Sequence, residues 1–355
     1  MSTIKSMLAV AMVLGIQGCE QAFTPAKPVP VGVTDAELQQ FVGSVKDNLV
    51  FVEGGEFWMG DFGPQYAPER APYDLDKDSK PLHKVRLSSY SINKFKVTNA
   101  EFQLYIKYNK LQMRKDGSVV RSEWSSINSA SNTPAHGDWY EAEQYCNWLG
   151  SITQLPFALP TEAQWEYAAR SRGQFLMVAT DDGTYKAEPR SLLTESYSPK
   201  GINISTVGDR VDFAKSRGWK TGFYTPLPVD KFPPNPLGLY SMSDNGYEWV
   251  RDWYDPDYYN YSPVENPPGP ESPVHKDQFG NFTKVMRGQS DANPYWGGGV
   301  NVHRTAKDPF GRFAERGTIV LDSSTIRCVV NSPEPVTISF VNKPDADSSK
   351  SKDRQ

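Results

Sequence analysis

Residues 138–170 read DWYEAEQYCNWLGSITQLPFALPTEAQWEYAAR, and the chemistry of two first turns marks two helices in them. Asp138-Trp139-Tyr140-Glu141 and Thr161-Glu162-Ala163-Gln164 are both capping boxes. The first side chain accepts a hydrogen bond from a helix N–H that lacks an intrahelical partner, and the last reaches back to the N–H of the first. Behind the first box Ala142, Tyr145, Cys146 and Leu149 recur at spacings of three and four, which puts Cys146 on a buried helix face. Trp165 and Ala168 follow the second. Upstream, Thr98-Asn99-Ala100-Glu101 is a third box, with Phe102, Tyr105 and Ile106 on one face behind it.

Strands flank these helices. Residues 49–61 (LVFVEGGEFWMGD) read as strand, Gly-Gly turn and strand. The segment 61–81 is charged and Pro-rich, hence a loop, and His83–Tyr90 alternates apolar and polar residues as a half-buried strand does. Between Ser171 and Lys284 periodicity fades into long Pro- and Gly-containing loops, a length that usually serves function or is held by ions and packing. Thr325–Val330 (TIRCVV) is the last strong strand signal, and Val336–Val341 is read as a further strand. No repeat or internal linker interrupts residues 48–341, which are expected to form one α+β domain. With 9 Trp, 18 Tyr, 17 Phe, 28 Pro and 27 Gly in 355 residues, that domain should be loop-rich and held by aromatic clusters rather than a helical bundle.

A net charge of −4 without a basic patch argues against nucleic acid as a partner. The amino terminus points to a membrane instead. Lys5, the short apolar run 7–16 and Gly18-Cys19 have the layout of a secretory signal, too short to span a bilayer. The small residue before Cys19 resembles a bacterial lipobox, with Gln17 less usual at its position; the alternative is an ordinary signal peptide with a chance cysteine. On the first reading residues 1–18 are removed, Cys19 is lipidated, and acyl chains anchor the protein. Glu20, where Asp would signal inner-membrane retention, favours the outer membrane, facing the periplasm. Residues 19–47 then form a polar tether, with a short helix near Asp35–Val45, and residues 342–355 a charged tail expected to be disordered. Cys146 and Cys328 remain in the domain, as a disulfide in an oxidising compartment or as two buried thiols.

Seven stretches occur in the order of one known family: FVEGGEFWMGD (51–61), KFKVTNAEFQLY (94–105), DWYEAEQYCNWLG (138–150), LPTEAQWEYAAR (159–170), VDKFPPNPLGLYSMSDNGYEWVRDWY (229–254), KVMRGQS (284–290) and IRCVV (326–330). The chain resembles the formylglycine-generating enzyme, or sulfatase-modifying factor, family over nearly its whole mature length. The resemblance implies a compact α+β fold related to C-type lectins, and it implies that Cys146 pairs with Cys328. Copper-oxidase members hold Cu(I) through two cysteine thiolates shortly after an R-G-G-S-W motif, soft ligands suited to that ion. Here the matching stretch, 287–304, reads RGQSDANPYWGGGVNVHR and holds no cysteine. Gln289 and Asp291 replace a Gly and the Trp, so no copper is expected. Arg287, Ser290, His303 and Arg304 are what remains of that cleft. Relatives that use iron take His ligands largely from an additional helical domain; the four histidines here, His83, His136, His275 and His303, form no i, i+4 pair.

The resemblance also implies two calcium loops, and hard Ca²⁺ wants six to eight oxygens. In one, Asn203, Ile204, Thr221 and Phe223 hold the ligand positions, with Thr221 in place of an Asp. In the other, Ser241 stands for an Asp, Asp244 for a Gly, and Gly246 and Glu248 are retained. Each loop has lost a ligand, and calcium around Glu248 is the candidate cofactor; the alternative is that Glu248 holds the loop by hydrogen bonds alone. A scaffold with its thiolates gone and its loops long is read as a protein-binding module. Lipid-anchored relatives resemble proteins encoded with type VI secretion systems, some accessory regulators and others immunity proteins that neutralise a toxic effector such as a phospholipase. Immunity is the expected function, a regulatory lipoprotein or a metal-dependent enzyme the alternatives.

Overall fold

The computed structural model describes residues 32–119, 121–189, 199–290, 298–313 and 317–337. The signal, Cys19, the first part of the tether, the tail and residues 291–297 of the cleft stretch lie outside them. The elements run α1 (Asp35–Asp47), β1 (Leu49–Val52), β2 (Gly55–Met59), α2 (Gly63–Tyr66), β3 (His83–Leu87), β4 (Tyr90–Asn93), α3 (Asn99–Asn109), α4 (Trp124–Ile127) and α5 (Trp139–Thr153), then β5 (Phe157–Ala158), α6 (Glu162–Ala169), α7 (Val207–Arg217), β6 (Gly246–Trp253), β7 (Lys284–Gln289), β8 (Thr305–Lys307), β9 (Ser324–Thr325) and β10 (Val329–Val330). They make three small sheets of order β1-β4-β10-β5, β2-β3 and β8-β7-β6-β9, antiparallel except for β6 against β9.

The α+β fold follows from the caps and alternations above. All three capping boxes form, at Thr98/Glu101, Asp138/Glu141 and Thr161/Gln164. The alternation of β6 and β7 divides the interior in two. Val250 and Val285 face a cluster with Val52, Phe57, Trp165 and Val329, while Trp249 and Met286 face one with Phe102, Tyr145, Cys146 and Cys328. A disulfide joins Cys146 on α5 to Cys328 before β10, across a sequence separation of 182. In the chain-entropy account such a closure restrains the unfolded chain by about 5 kcal/mol, less where the native geometry resists it.

Five expectations need correction. The short helix expected near Asp35–Val45 forms as α1, started by a capping box at Thr34, but it packs on the domain rather than serving as tether: it buries Phe41 and Val45 and stacks Phe41 on Trp148 with ring centroids 5.4 Å apart. His83–Tyr90 is not one strand but the end of one sheet and the start of another, because β3 pairs with β2 and β4 with β1. Thr325–Val330 likewise divides between β9 and β10, since Arg327 turns inward to a buried carboxylate and Cys328 is bonded to α5. Val336 packs on the core without joining a strand, and residues 338–341 lie outside the described part. The polar stretch after Ser171 also contains α7, capped by Thr206 and Asp209. Its buried residues include Asp209 and Arg210, so no apolar period announces it.

Candidate functional site

Arg287 and Arg304 meet on one face of α6. That helix repeats Glu162, Glu166 and Arg170 at i, i+4 and i+8, and all three are buried although charged. Arg287 Nη1 donates to Glu162 Oε1 at 2.7 Å and its Nη2 to Glu166 Oε2 at 2.8 Å. Arg304 donates through Nε and Nη2 to both oxygens of Glu162 at 2.7 and 2.9 Å, and Arg170 Nη1 to Glu166 Oε1 at 2.7 Å. Tyr259 and Tyr254 cover Arg304, with its guanidinium carbon 4.5 and 5.1 Å from their ring centroids. Burial alone would raise the pKa of Glu162, yet Arg304 and Arg287 overcome it and hold it below the ordinary value. Buried charges persist where they are paired and hydrogen-bonded, and here the cleft's two arginines are spent on that pairing. Ser290 is partly exposed at the end of β7.

His303 lies at the rim. Its Nδ1 is 3.2 Å from Asp74 Oδ2, and one ligand atom each of Asp74, Asp76 and His303 lie within 4.8 Å of one another. Burial works against the charge of Asp74, but hydrogen bonds from His303 and from the Asp76 N–H keep its pKa below the usual value. Lys80 Nζ donates to the carbonyls of Asp74 and Asp76, both at 2.6 Å, so a cation already touches this loop. Reading the loop 61–81 only as charged overlooked this set. The signal was the spacing Asp74-Leu75-Asp76-Lys77-Asp78, acids at alternate positions as in oxygen-rich ion loops.

The calcium loops come out differently from the resemblance. Glu248 lies opposite Arg287 in the β6–β7 register, but Trp165 comes between them, donating Nε1 to Glu248 Oε2 at 2.8 Å while Arg287 sits over its ring. Glu248 instead receives Arg327 Nε at 3.0 and 2.9 Å on its two oxygens and Lys96 Nζ at 2.7 Å. Lys96 also donates to the Gly246 carbonyl at 2.8 Å. Gly246 has φ +113°, and an added Cβ would come within 2.4 Å of Thr325, so only glycine keeps the chain in this turn. Asp244 Oδ2 accepts from the Ser205 N–H at 2.6 Å, and Ser241 has φ 53°. At the other loop Asn203 Oδ1 accepts from the Lys186 N–H at 2.8 Å, the Thr221 and Thr225 hydroxyls pair, and Arg210 Nη1 reaches the Phe223 and Thr225 carbonyls at 3.4 and 3.2 Å. With Lys96 and Arg327 on Glu248, Lys96 on the Gly246 carbonyl, Arg210 on the Phe223 carbonyl, and backbone N–H groups on Asn203 Oδ1 and Asp244 Oδ2, this set does not fit a calcium ion.

A family model described as the sulfatase-modifying factor enzyme 1-like domain matches residues 34–331. The formylglycine-generating enzyme of Streptomyces coelicolor is 30% identical over 280 residues, 68% of this chain and 77% of that protein. Serine/threonine-protein kinase pkn1 of Chlamydia pneumoniae is 29% identical over 284 residues, 75% of this chain, and the chain spans only 38% of that kinase's length. The inactive C-alpha-formylglycine-generating enzyme 2 of Bos taurus is 26% identical over 249 residues, 58% of this chain and 71% of that protein. PvdO from Pseudomonas aeruginosa superposes with a TM-score of 0.55 at 22% identity, covering 79% of this chain and 93% of that one, a likeness of fold. With a match that begins at α1 and closes just after β10, the chain belongs to the formylglycine-generating enzyme, or sulfatase-modifying factor, family.

Proposed function

We propose that this protein is a non-catalytic lipoprotein of the bacterial envelope that works by binding another protein, and that the partner is a toxic effector it neutralises. The observation that carries the reading is the fate of sulfur in the chain. Of three cysteines, Cys146 and Cys328 are bonded to each other, and the third, Cys19, is the proposed lipidation site. None is left for a Cu(I) thiolate pair, and the formylglycine chemistry of this family's oxidases depends on those soft ligands. The buried Arg287 pairs with Glu162 and Glu166, and the buried Arg304 with Glu162.

Support for a binding surface comes from aromatic side chains held in the open around the same rim. Tyr66 and Phe175 stack with centroids 4.1 Å apart while each stays more than 40% exposed, and Leu75 is 90% exposed. Exposed, preorganised aromatics are the side chains on which protein interfaces concentrate energy. An outer-membrane anchor through Cys19 would place that rim where an incoming toxin arrives, and occluding the toxin needs no chemistry. The test is co-expression with the candidate effector, a phospholipase toxin first, in a sensitive cell. Protection that survives Ser290→Ala and His303→Ala, with a complex isolated on gel filtration, supports the reading. Copper-dependent oxidation of a thiol peptide by the purified protein overturns it.

One observation favours a second reading, a metal-dependent enzyme with hard ligands. Asp74, Asp76 and His303 offer an oxygen and nitrogen set of the kind taken by divalent first-row metals. Metal titration of the wild type against Asp74→Asn and His303→Ala separates it from binding alone: a site lost in both variants, together with an activity, would favour the enzyme.

A further inference from the structure

Each loop that the family's pattern would give to a calcium ion carries a side-chain cation on its ligand oxygens. Lys96 is fully buried, and its ammonium bridges the Gly246 carbonyl at 2.8 Å and Glu248 Oε1 at 2.7 Å. Those are two of the oxygens that a calcium ion would take at this loop, at distances set by an N–H donor rather than the 2.3–2.6 Å of a Ca–O bond. Arg327 adds a second positive charge on the same carboxylate. A divalent ion inserted beside them would meet two fixed like charges in a site that excludes water, where repulsion is least screened. The other loop repeats the arrangement with a different residue. Arg210, 2% exposed, directs Nη1 at the Phe223 and Thr225 carbonyls, and Asn203 gives its amide oxygen to the Lys186 N–H.

The sequence shows the matching half of the exchange. Thr221 stands where a carboxylate would be needed to balance an ion, and at the other loop Ser241 removes one carboxylate while Asp244 turns its own to the Ser205 N–H, so each loop lacks an acid at a ligand position and holds a positive side chain. Each buried cation does part of the job of an ion: Lys96 ties its own segment to a carbonyl and a carboxylate of β6, and Arg210 ties α7 to the carbonyls of Phe223 and Thr225. The side chain does it without depending on the ion's concentration, and its ordering cost is met once, on folding.

We infer that Lys96 and Arg210 replace the two calcium ions of the fold, so that this chain closes both loops with its own cations and folds independently of calcium. The inference stands apart from the proposed binding function, because it concerns how the scaffold is held.

Thermal unfolding of the purified full chain, with metal content measured after exhaustive chelation, tests it. The expected result is a metal-free protein whose Tm is the same in chelator and in millimolar calcium. A stoichiometric calcium that survives dialysis, or a Tm raised by calcium, overturns the inference. Two variants address the exchange itself. Thr221→Asp alone should stay insensitive to calcium, because Arg210 answers the new carboxylate; a calcium response with Arg210 in place counts against it. Thr221→Asp combined with Arg210→Ala should gain a calcium-dependent rise in Tm, by linkage of binding to folding. Folded but unresponsive protein would show that the guanidinium does not hold an ion's place. If that variant does not fold without calcium, recovery of the folded state on adding the ion is the same gain read another way, and failure to recover counts against the replacement.

Discussion

Arg304 closes on Glu162 with two hydrogen bonds, Nε to Oε1 at 2.7 Å and Nη2 to Oε2 at 2.9 Å, with both side chains out of reach of water. The pair is not isolated, since Arg287 donates a third bond to the same carboxylate. Removing one member of such a group leaves charge without compensation in a medium that cannot solvate it.

Glu162→Gln should therefore cost about 3–5 kcal/mol, read as a lowered urea midpoint with unchanged slope. The sign of its pH dependence follows from the depressed pKa. The carboxylate's contribution is complete above its unfolded value of 4.5 and is lost as pH falls through the lower folded one. The variant should lose its stability deficit in strong acid. A deficit under about 1 kcal/mol at neutral pH would mean that the network rearranges around the amide, and the account of a tightly paired cluster would fail.

Reduction should weaken the fold through Cys146–Cys328. With a sequence separation of 182, losing the bridge should cost about 2–5 kcal/mol. Wild-type protein should denature earlier in the presence of dithiothreitol, while Cys146→Ala/Cys328→Ala should be indifferent to it. Equal midpoints for oxidised and reduced wild type would remove the bridge from the list of stabilising features.

What the sequence made legible is what local chemistry specifies. The boxes at Thr98, Asp138 and Thr161 fix helix starts within four residues each, so they could be read without any tertiary knowledge. Glu162, Glu166 and Arg170 were hidden because their i, i+4 spacing on a helix reads as an exposed charged face; only the arginines of β7 and the segment before β8 turn it inward. Lys96 was hidden in the same way, its partners lying 150 and 152 positions along the chain. α7 buries polar residues, so its helical period carries no hydrophobic mark.

The amino-terminal helix gives a prediction on which tether and domain element disagree. Phe41 is 8% exposed and stacked on Trp148, so Phe41→Ala should cost about 3 kcal/mol. A chain beginning at residue 48 should lose more, because Val45 and the face of Trp148 are uncovered as well. Tryptophan fluorescence during denaturation reads both. If the shortened chain unfolds at the wild-type midpoint, α1 is only a spacer.

Two buried groups should tilt the pH profile in opposite directions. Burial, with Arg210 and Lys96 nearby, pushes His136 down to about 3 from an ordinary 6.5. Between those values the unfolded chain holds a proton that the folded one refuses, so stability rises with pH across that window and is lost as pH falls through it. Asp252 runs the other way. Burial, with Glu162 beside it, raises its carboxyl to about 8 from 3.8, so the folded state holds the extra proton and stability declines as pH climbs from about 4 to 8. Its Oδ2 accepts the Glu162 N–H at 2.9 Å, a bond that an amide oxygen can keep. Asp252→Asn should thus match the wild type near pH 4 and exceed it at pH 8, while His136→Gln should resist acid better than the wild type between pH 6 and 3. Chemical denaturation across that range measures both, and an Asp252→Asn profile parallel to the wild type would show that the carboxyl is ionised in the folded protein.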